Sequence, residues 1–230
     1  MAEEPLPLAG RCALVIGAGT PAGSIIAAGL AAAGADVAVA SATTEGEEVM
    51  AVRRTRRTVV AFGRRSAEYA FDTTLGQNVL VSTRQVSKEM GGLDLLVNAQ
   101  DAPSPAAAER ITDSDWSRTL ALNLSGVFFA CRAAVREMTA GGTMLNIVRR
   151  PSREAPVAAS YAAAKAGVVA LTRALAVEFA PRGVGVNAIE LLAGTESAEA
   201  AELARLAVFI AQARGALSGQ LFRVAFGPRA

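Results

Sequence analysis

The sequence predicts a doubly wound α/β fold, a mostly parallel sheet with helices on both faces. Two observations lead there. Short apolar runs alternate along the chain with longer segments whose apolar residues recur at three and four residues. The first such unit opens on a cluster of glycines between strand and helix, the arrangement that sets a helix N-terminus against a pyrophosphate. No repeat, linker or low-complexity tail interrupts the pattern, so residues 1–230 read as one domain.

The elements follow in order. Residues 11–16 are a buried strand, 17–23 a glycine-rich turn, and 24–33 a helix closed by Gly34. Residues 37–40 form a second strand, and 45–62 a polar helix with Val49, Val52, Val59 and Val60 inward, ended by Gly63. The six arginines between Arg53 and Arg65 read as its solvated face. Residues 67–71 are strand three, leading to Asp72; 75–90 are a helix with Leu75, Val79, Val86 and Met90 on one side. Strand four is 93–97. A long helix over 112–138 starts at the N-cap Thr112, with Asp115 as capping-box partner. Strand five is 143–148, and the next helix, 160–179, carries a stripe of Val168, Leu171, Leu175 and Phe179. Strand six (184–189), a helix (200–212) and a closing strand (220–225) complete the chain.

Composition narrows the function. The 230 residues are 52% apolar but only 5% aromatic, so the core is built from Ala, Val and Leu. A net charge of +2, with 19% charged residues, argues against a nucleic-acid or anionic-membrane partner. There is no histidine, which removes His-based triads and most zinc sites, and no metal site is expected. Cys12 and Cys131 make no disulfide framework, and the first residues are acidic where a signal peptide is basic; the expectation is a soluble protein of the reducing cytoplasm. Residues 12–35 carry no charge over a length that could span a bilayer, but Gly17, Gly19, Pro21, Gly23 and Gly29 break them into strand, turn and helix.

Within the helix at 160–179, Tyr161 and Lys165 lie four apart, one turn from each other on one face. A cation held there favours phenolate and lowers the tyrosine pKa towards neutrality, suiting it to general acid–base work. A surface tyrosine beside a solvated lysine is the plainer reading of such a pair. Lys88 and Lys165 are, however, the two lysines among 23 basic residues, so a lysine at this position carries weight.

Several blocks in order make the chain resemble a classical short-chain dehydrogenase/reductase, nearest the β-ketoacyl-ACP reductase branch. They are Gly-Arg-Cys-Ala-Leu-Val-Ile-Gly (10–17), Gly-Gly-Leu-Asp-Leu-Leu-Val-Asn (91–98), Asp-Trp…Leu-Asn-Leu-Ser-Gly-Val-Phe (115–128), Tyr-Ala-Ala-Ala-Lys-Ala-Gly-Val (161–168), Gly-Val-Gly-Val-Asn-Ala-Ile (183–189) and Ser-Gly-Gln-Leu-Phe-Arg-Val (218–224). The resemblance implies a Rossmann-type, three-layer domain of about seven strands. It also implies NAD(H) or NADP(H) as cofactor, and an Asn-Ser-Tyr-Lys tetrad that moves a proton as hydride passes between nicotinamide and a carbonyl or alcohol. By the same resemblance Asn123 holds a relay water, Tyr161 is the acid/base, and Lys165 tunes it and holds the nicotinamide ribose. The cofactor positions it implies are Gly17, Gly19, Gly23, Ser41, Asp72, Asn98 and Lys165.

The chain departs from that pattern along one edge. The family's serine falls on Val148 or Arg149, leaving Ser152 as the nearest hydroxyl; loss of one such donor costs roughly 3 kcal/mol, about 100-fold in rate. Pro21 replaces the middle glycine of the turn and offers no N–H, though a proline suits the first position of a helix. Residues 41–44, Ser-Ala-Thr-Thr, supply neither an acid for a ribose hydroxyl nor an arginine for a 2′-phosphate, and Asp36 stands at the wrong end of its strand. Asp101 replaces a glycine, Glu190-Leu191-Leu192 replaces Pro-Gly, and the lid is reduced to 193–198.

These departures imply first a non-catalytic subunit of a heteromeric dehydrogenase, with weak or no dinucleotide binding. The partner would be a homologous subunit, or a second copy, meeting helices 112–138 and 160–179, where Val127, Phe128 and Phe129 look exposed. The alternatives are an active oxidoreductase using Tyr161 and Lys165 on a carbonyl or alcohol, such as a 3-oxoacyl or 3-hydroxyacyl thioester, and a nucleotide-binding regulator.

Overall fold

The computed structural model describes residues 5–44, 46–104, 106–150, 159–192 and 197–224. Seven parallel strands form one sheet in the order β3-β2-β1-β4-β5-β6-β7. The strands are β1 Cys12–Ile16, β2 Asp36–Ser41, β3 Glu68–Ala70, β4 Leu95–Asn98, β5 Gly142–Arg149, β6 Val184–Leu191 and β7 Leu221–Val224. The helices are α1 Pro21–Ala32, α2 Glu47–Ala61, α3 Gly76–Met90, α4 Asp113–Leu120, α5 Gly126–Glu137, α6 Ala159–Phe179 and α7 Ser197–Ala213. The predicted α/β architecture is the one observed.

Strand alternation divides the core. Ala13 and Val15 face a layer with Ile26, Leu30, Val52 and Leu203, under α1, α2 and α7. Leu14 and Ile16 face the other, with Val79, Val86, Val127, Val168 and Leu175, under α3, α5 and α6. Neighbouring residues of a strand thus bury on opposite faces, which is why the runs read as continuously apolar. The strand order reverses between β1 and β4, whose ends register as Ile16 opposite Asn98. A crevice opens at such a switch point, at the carboxyl ends of the strands.

Several local expectations are corrected. Helix α1 begins earlier than predicted, with Thr20 as N-cap and Pro21 in its first turn. The Thr20 hydroxyl donates to the Gly17 carbonyl at 2.8 Å and accepts from the Gly23 N–H at 3.1 Å. The turn therefore holds its shape without the missing glycine. Val60 and Leu75, expected inward, are 48% and 57% exposed; Thr55 takes the inward place on α2 instead, its hydroxyl donating to the Ala18 carbonyl. Thr112 caps α4 as predicted, accepting from the Asp115 N–H at 3.1 Å. The predicted long helix is interrupted, however, by a π turn at Ala121–Ser125 that joins α4 to α5. Val127, expected outward, is buried, and Phe128 and Phe129 are half-buried beneath the Arg132 guanidinium, 5.2 and 5.1 Å from their ring centres.

Candidate functional site

Helix α6 carries Tyr161 and Lys165 into the carboxyl edge of the sheet, where both are buried. The ammonium lies 5.2 Å from the centre of the tyrosine ring. It donates to the Gln100 carbonyl at 3.1 Å and pairs with Asp101 Oδ1 at 3.0 Å. The Tyr161 hydroxyl donates to that same Oδ1 at 2.5 Å. The other oxygen, Oδ2, pairs with Arg149 Nε at 3.0 Å, from the end of β5. One carboxylate therefore joins phenol, ammonium and guanidinium.

This corrects the electrostatic expectation for Tyr161. Burial, and then the Asp101 charge and its hydrogen bond, push the phenol pKa up from its ordinary value, not down. Burial lowers the Lys165 pKa, while Asp101 opposes that by favouring the ammonium. With Asp101 in place the tyrosine is a proton holder whose donor bond is spent on a carboxylate.

Asn123 reaches the same edge because the π turn rotates it inward, fully buried. Its Oδ1 accepts from the Ala102 N–H at 3.1 Å, and its Nδ2 donates to the carbonyls of Ala102 and Thr119 at 2.9 and 3.1 Å. It fastens the segment that carries Asp101. Of the two positions proposed for the serine, Val148 is buried in the core, and Arg149 turns towards Asp101. Ser152 and most of the shortened lid lie outside the described residues.

The nucleotide positions separate into two groups. Gly17 and Gly19 form the turn before α1, and Gly23 lies in the first turn of that helix. Gly17 has φ +79, and a Cβ there would stand 2.4 Å from the Gln100 nitrogen, so glycine is required. Asp72 lines a solvent-open crevice of about 430 Å³ together with Thr43, Thr44, Gly46, Thr74, Arg118 and Leu122. The side chains of Ser41 and Asn98, by contrast, turn inward. Ser41 is wholly buried, its hydroxyl donating to the Thr43 carbonyl. Asn98 points into the sheet, donating to Asn146 Oδ1 at 2.9 Å and to Cys131 Sγ at 3.4 Å. Asp36 pairs with Arg65 at 2.7 Å at the far end of β2.

A dinucleotide fits this edge unevenly. The glycine turn, the helix N-terminus and the Asp72 crevice suit a pyrophosphate and adenosine. The other end is a narrow crevice lined by Thr20, Ala22, Ala99, Ile147 and Leu191 and crossed by the Asp101–Arg149 pair. With the Asp101–Arg149 pair across it, that end is too narrow for a nicotinamide ring. Among the described residues no group of His, Cys, Asp and Glu could hold a metal. No described helix is long and apolar enough to cross a membrane. Sequence reasoning marked Asp101 and Arg149 as departures but not as partners, and missed Glu48, which stands over Gly19. The preceding Glu47 and the first-turn position in α2 gave it the look of an ordinary helix-start acid.

Comparison with known proteins agrees with this geometry. The model of the short chain dehydrogenase family matches residues 11–203. D-threitol dehydrogenase of Mycolicibacterium smegmatis is 36% identical over 190 residues, covering 79% of this chain and 69% of the relative. The 2-dehydro-3-deoxy-D-gluconate 5-dehydrogenase of Escherichia coli K12 is 32% identical over 186 residues, covering 79% and 71%. A short chain dehydrogenase structure from Mycobacterium smegmatis superposes with a TM-score of 0.83 at 30% identity, covering 100% of this chain and 97% of the other. A short-chain type dehydrogenase/reductase from Mycobacterium marinum gives 0.86 at 26% identity, with 96% of each chain covered. The chain belongs to the short-chain dehydrogenase family.

Proposed function

We propose that this short-chain dehydrogenase is an NAD(P)(H)-dependent oxidoreductase that interconverts a secondary alcohol and a ketone on a small hydroxylated molecule, a polyol or sugar acid. The observation that carries the reading is the convergence of Tyr161, Lys165 and Asn123 on one sheet edge beside a glycine turn. The substrate class is drawn from the relatives, named for D-threitol and 2-dehydro-3-deoxy-D-gluconate. It replaces the first expectation of a silent subunit, which the relatives do not support.

The dinucleotide, when bound, supplies or accepts the hydride. The protein's part is the proton. Tyr161 Oη donates it to the carbonyl oxygen in reduction and takes it back in oxidation, with no histidine available to share the task. Lys165, held by the Gln100 carbonyl, supplies a fixed positive charge beside the phenol. Asp101 must release Tyr161 for this to happen, and Arg149 is positioned to retain the released carboxylate. Arg149, one of the two positions that match the family's serine, also brings to this edge a cation able to stabilise a developing oxyanion.

A second reading follows from the same contact. If Asp101 never leaves, Tyr161 stays protonated and the chain serves as a partner for an intact homologue through α4, α5 and α6. Val177, 77% exposed on α6, is suited to such packing. The deciding experiment follows NADH and NADPH turnover with a panel of polyols, sugar acids and their ketones, for the chain alone and co-expressed with a homologue. Turnover by the chain alone, lost in Tyr161→Phe, supports the enzyme. Turnover confined to the co-expressed homologue supports the partner reading.

A further inference from the structure

Strand β2 ends without an acid, yet a carboxylate stands beside that end. Glu48, in the first turn of α2, folds back so that Oε1 accepts from the Ala42 N–H at 3.1 Å and Oε2 from the Thr43 hydroxyl at 3.4 Å. Its side chain runs directly over the glycine turn: a Cβ at Gly19 would come within 2.9 Å of Glu48 Cγ and 2.6 Å of its carbonyl oxygen. The carboxylate therefore lies between the glycine turn and the end of β2, bonded to Thr43, which lines the crevice with Thr44, Gly46 and Asp72. Burial raises its pKa, and the Ala42 N–H and Thr43 hydroxyl draw it back down by hydrogen bonding the charged form.

We infer that Glu48 is the cofactor-selecting acid of this chain, accepting the hydroxyls of the adenosine ribose and excluding a 2′-phosphate, so that the site takes NAD(H) in preference to NADP(H). The inference rests on the dinucleotide reading above and adds to it the residue that discriminates. A carboxylate with lone pairs to spare accepts ribose hydroxyls, whereas it repels a phosphate dianion at the same place. Two arginines on this side are engaged elsewhere, Arg53 of α2 with Glu68 at 3.2 Å and Arg65, beyond the end of α2, with Asp36 at 2.7 Å. Glu47 adds a second negative charge to the same helix turn. Arg118 lines the crevice from α4 and is the group that could attract a 2′-phosphate instead.

The test is direct titration of the full chain with ADP-ribose and with its 2′-phosphate. These probes address the adenosine end alone and do not require Asp101 to move. ADP-ribose is expected to bind about 100-fold more tightly than the 2′-phosphate, as like-charge exclusion implies. In Glu48→Gln the ratio should fall to within about threefold, and in Glu48→Arg it should reverse, while thermal melts report that both variants remain folded. Equal binding of the two probes by the native chain, or an unchanged ratio in both variants, overturns the role of Glu48 and leaves the dinucleotide reading standing. Preference for the 2′-phosphate overturns it in favour of Arg118. Binding of neither probe overturns both.

Discussion

A single oxygen, Oδ1 of Asp101, accepts the Tyr161 hydroxyl and lies 3.0 Å from the Lys165 ammonium, joining the two side chains that α6 sets one turn apart. The phenol keeps its proton and spends its donor bond on a neighbour in its own chain. Removing the Asp101 charge with Asp101→Asn should shift Tyr161 ionisation to lower pH. An ultraviolet titration of tyrosinate, with Tyr161→Phe separating its signal from that of Tyr69, measures this. Turnover should rise by about tenfold or more, since one pKa unit is worth about 1.4 kcal/mol of interaction. An unchanged titration would show that burial alone sets the phenol.

Tyr161→Phe keeps the ring in its buried place and deletes the proton. Turnover should fall by about 100-fold or more, with the melting temperature changed by only a few degrees. Steady-state kinetics beside a thermal melt separates the two effects. Residual activity near the native level would remove Tyr161 from the proposed chemistry.

Lys165→Met fills similar space without charge. It leaves Asp101 with Arg149 alone in a partly dry site, and breaking a buried pair costs about 3–5 kcal/mol. Urea denaturation should show an unfolding free energy lowered by up to that amount, Arg149 still holding Asp101, and Asp101→Asn combined with Lys165→Met should recover part of it. Failure to recover would mean that the two charges do not act as a pair.

Asn123→Ala removes an amide that both donates to and accepts from the Ala102 backbone. The buried groups left unpaired cost about 1–3 kcal/mol. Hydrogen exchange should quicken around residues 99–104, the segment that carries Asp101, and remain unchanged in β1. Uniform quickening would mean global rather than local loosening.

Burial pushes both thiols, Cys12 and Cys131, up to about 12. As pH rises from the unfolded thiol value towards 12, the unfolded chain releases these protons while the native chain keeps them. The native state binds more protons, so stability is full below the unfolded pKa and falls with rising pH, by up to about 1.4 kcal/mol per pH unit for each thiol. Denaturation midpoints measured between pH 8 and 10.5 should therefore slope downward. Cys131→Ala should slope less, and an equal slope would show that other groups, Tyr161 among them, carry the whole effect.

The sequence by itself determined the frame. Apolar runs, glycine stops and the Thr112 cap are local records of which face each segment buries, and β1 to β7 appear in that order within a few residues of expectation. Tyr161 and Lys165 were legible together because four residues of helix bring them to one face. The tertiary structure decided what surrounds them. Asp101 lies after β4 and Arg149 ends β5; they meet only because those strands are neighbours in register, Asn98 opposite Asn146. Glu48 comes to Gly19 only because α2 packs back across the glycine turn. Burial periodicity does not record which charges will face one another across a crevice. That depends on strand order and loop path, which put groups distant in sequence within a single carboxylate's reach.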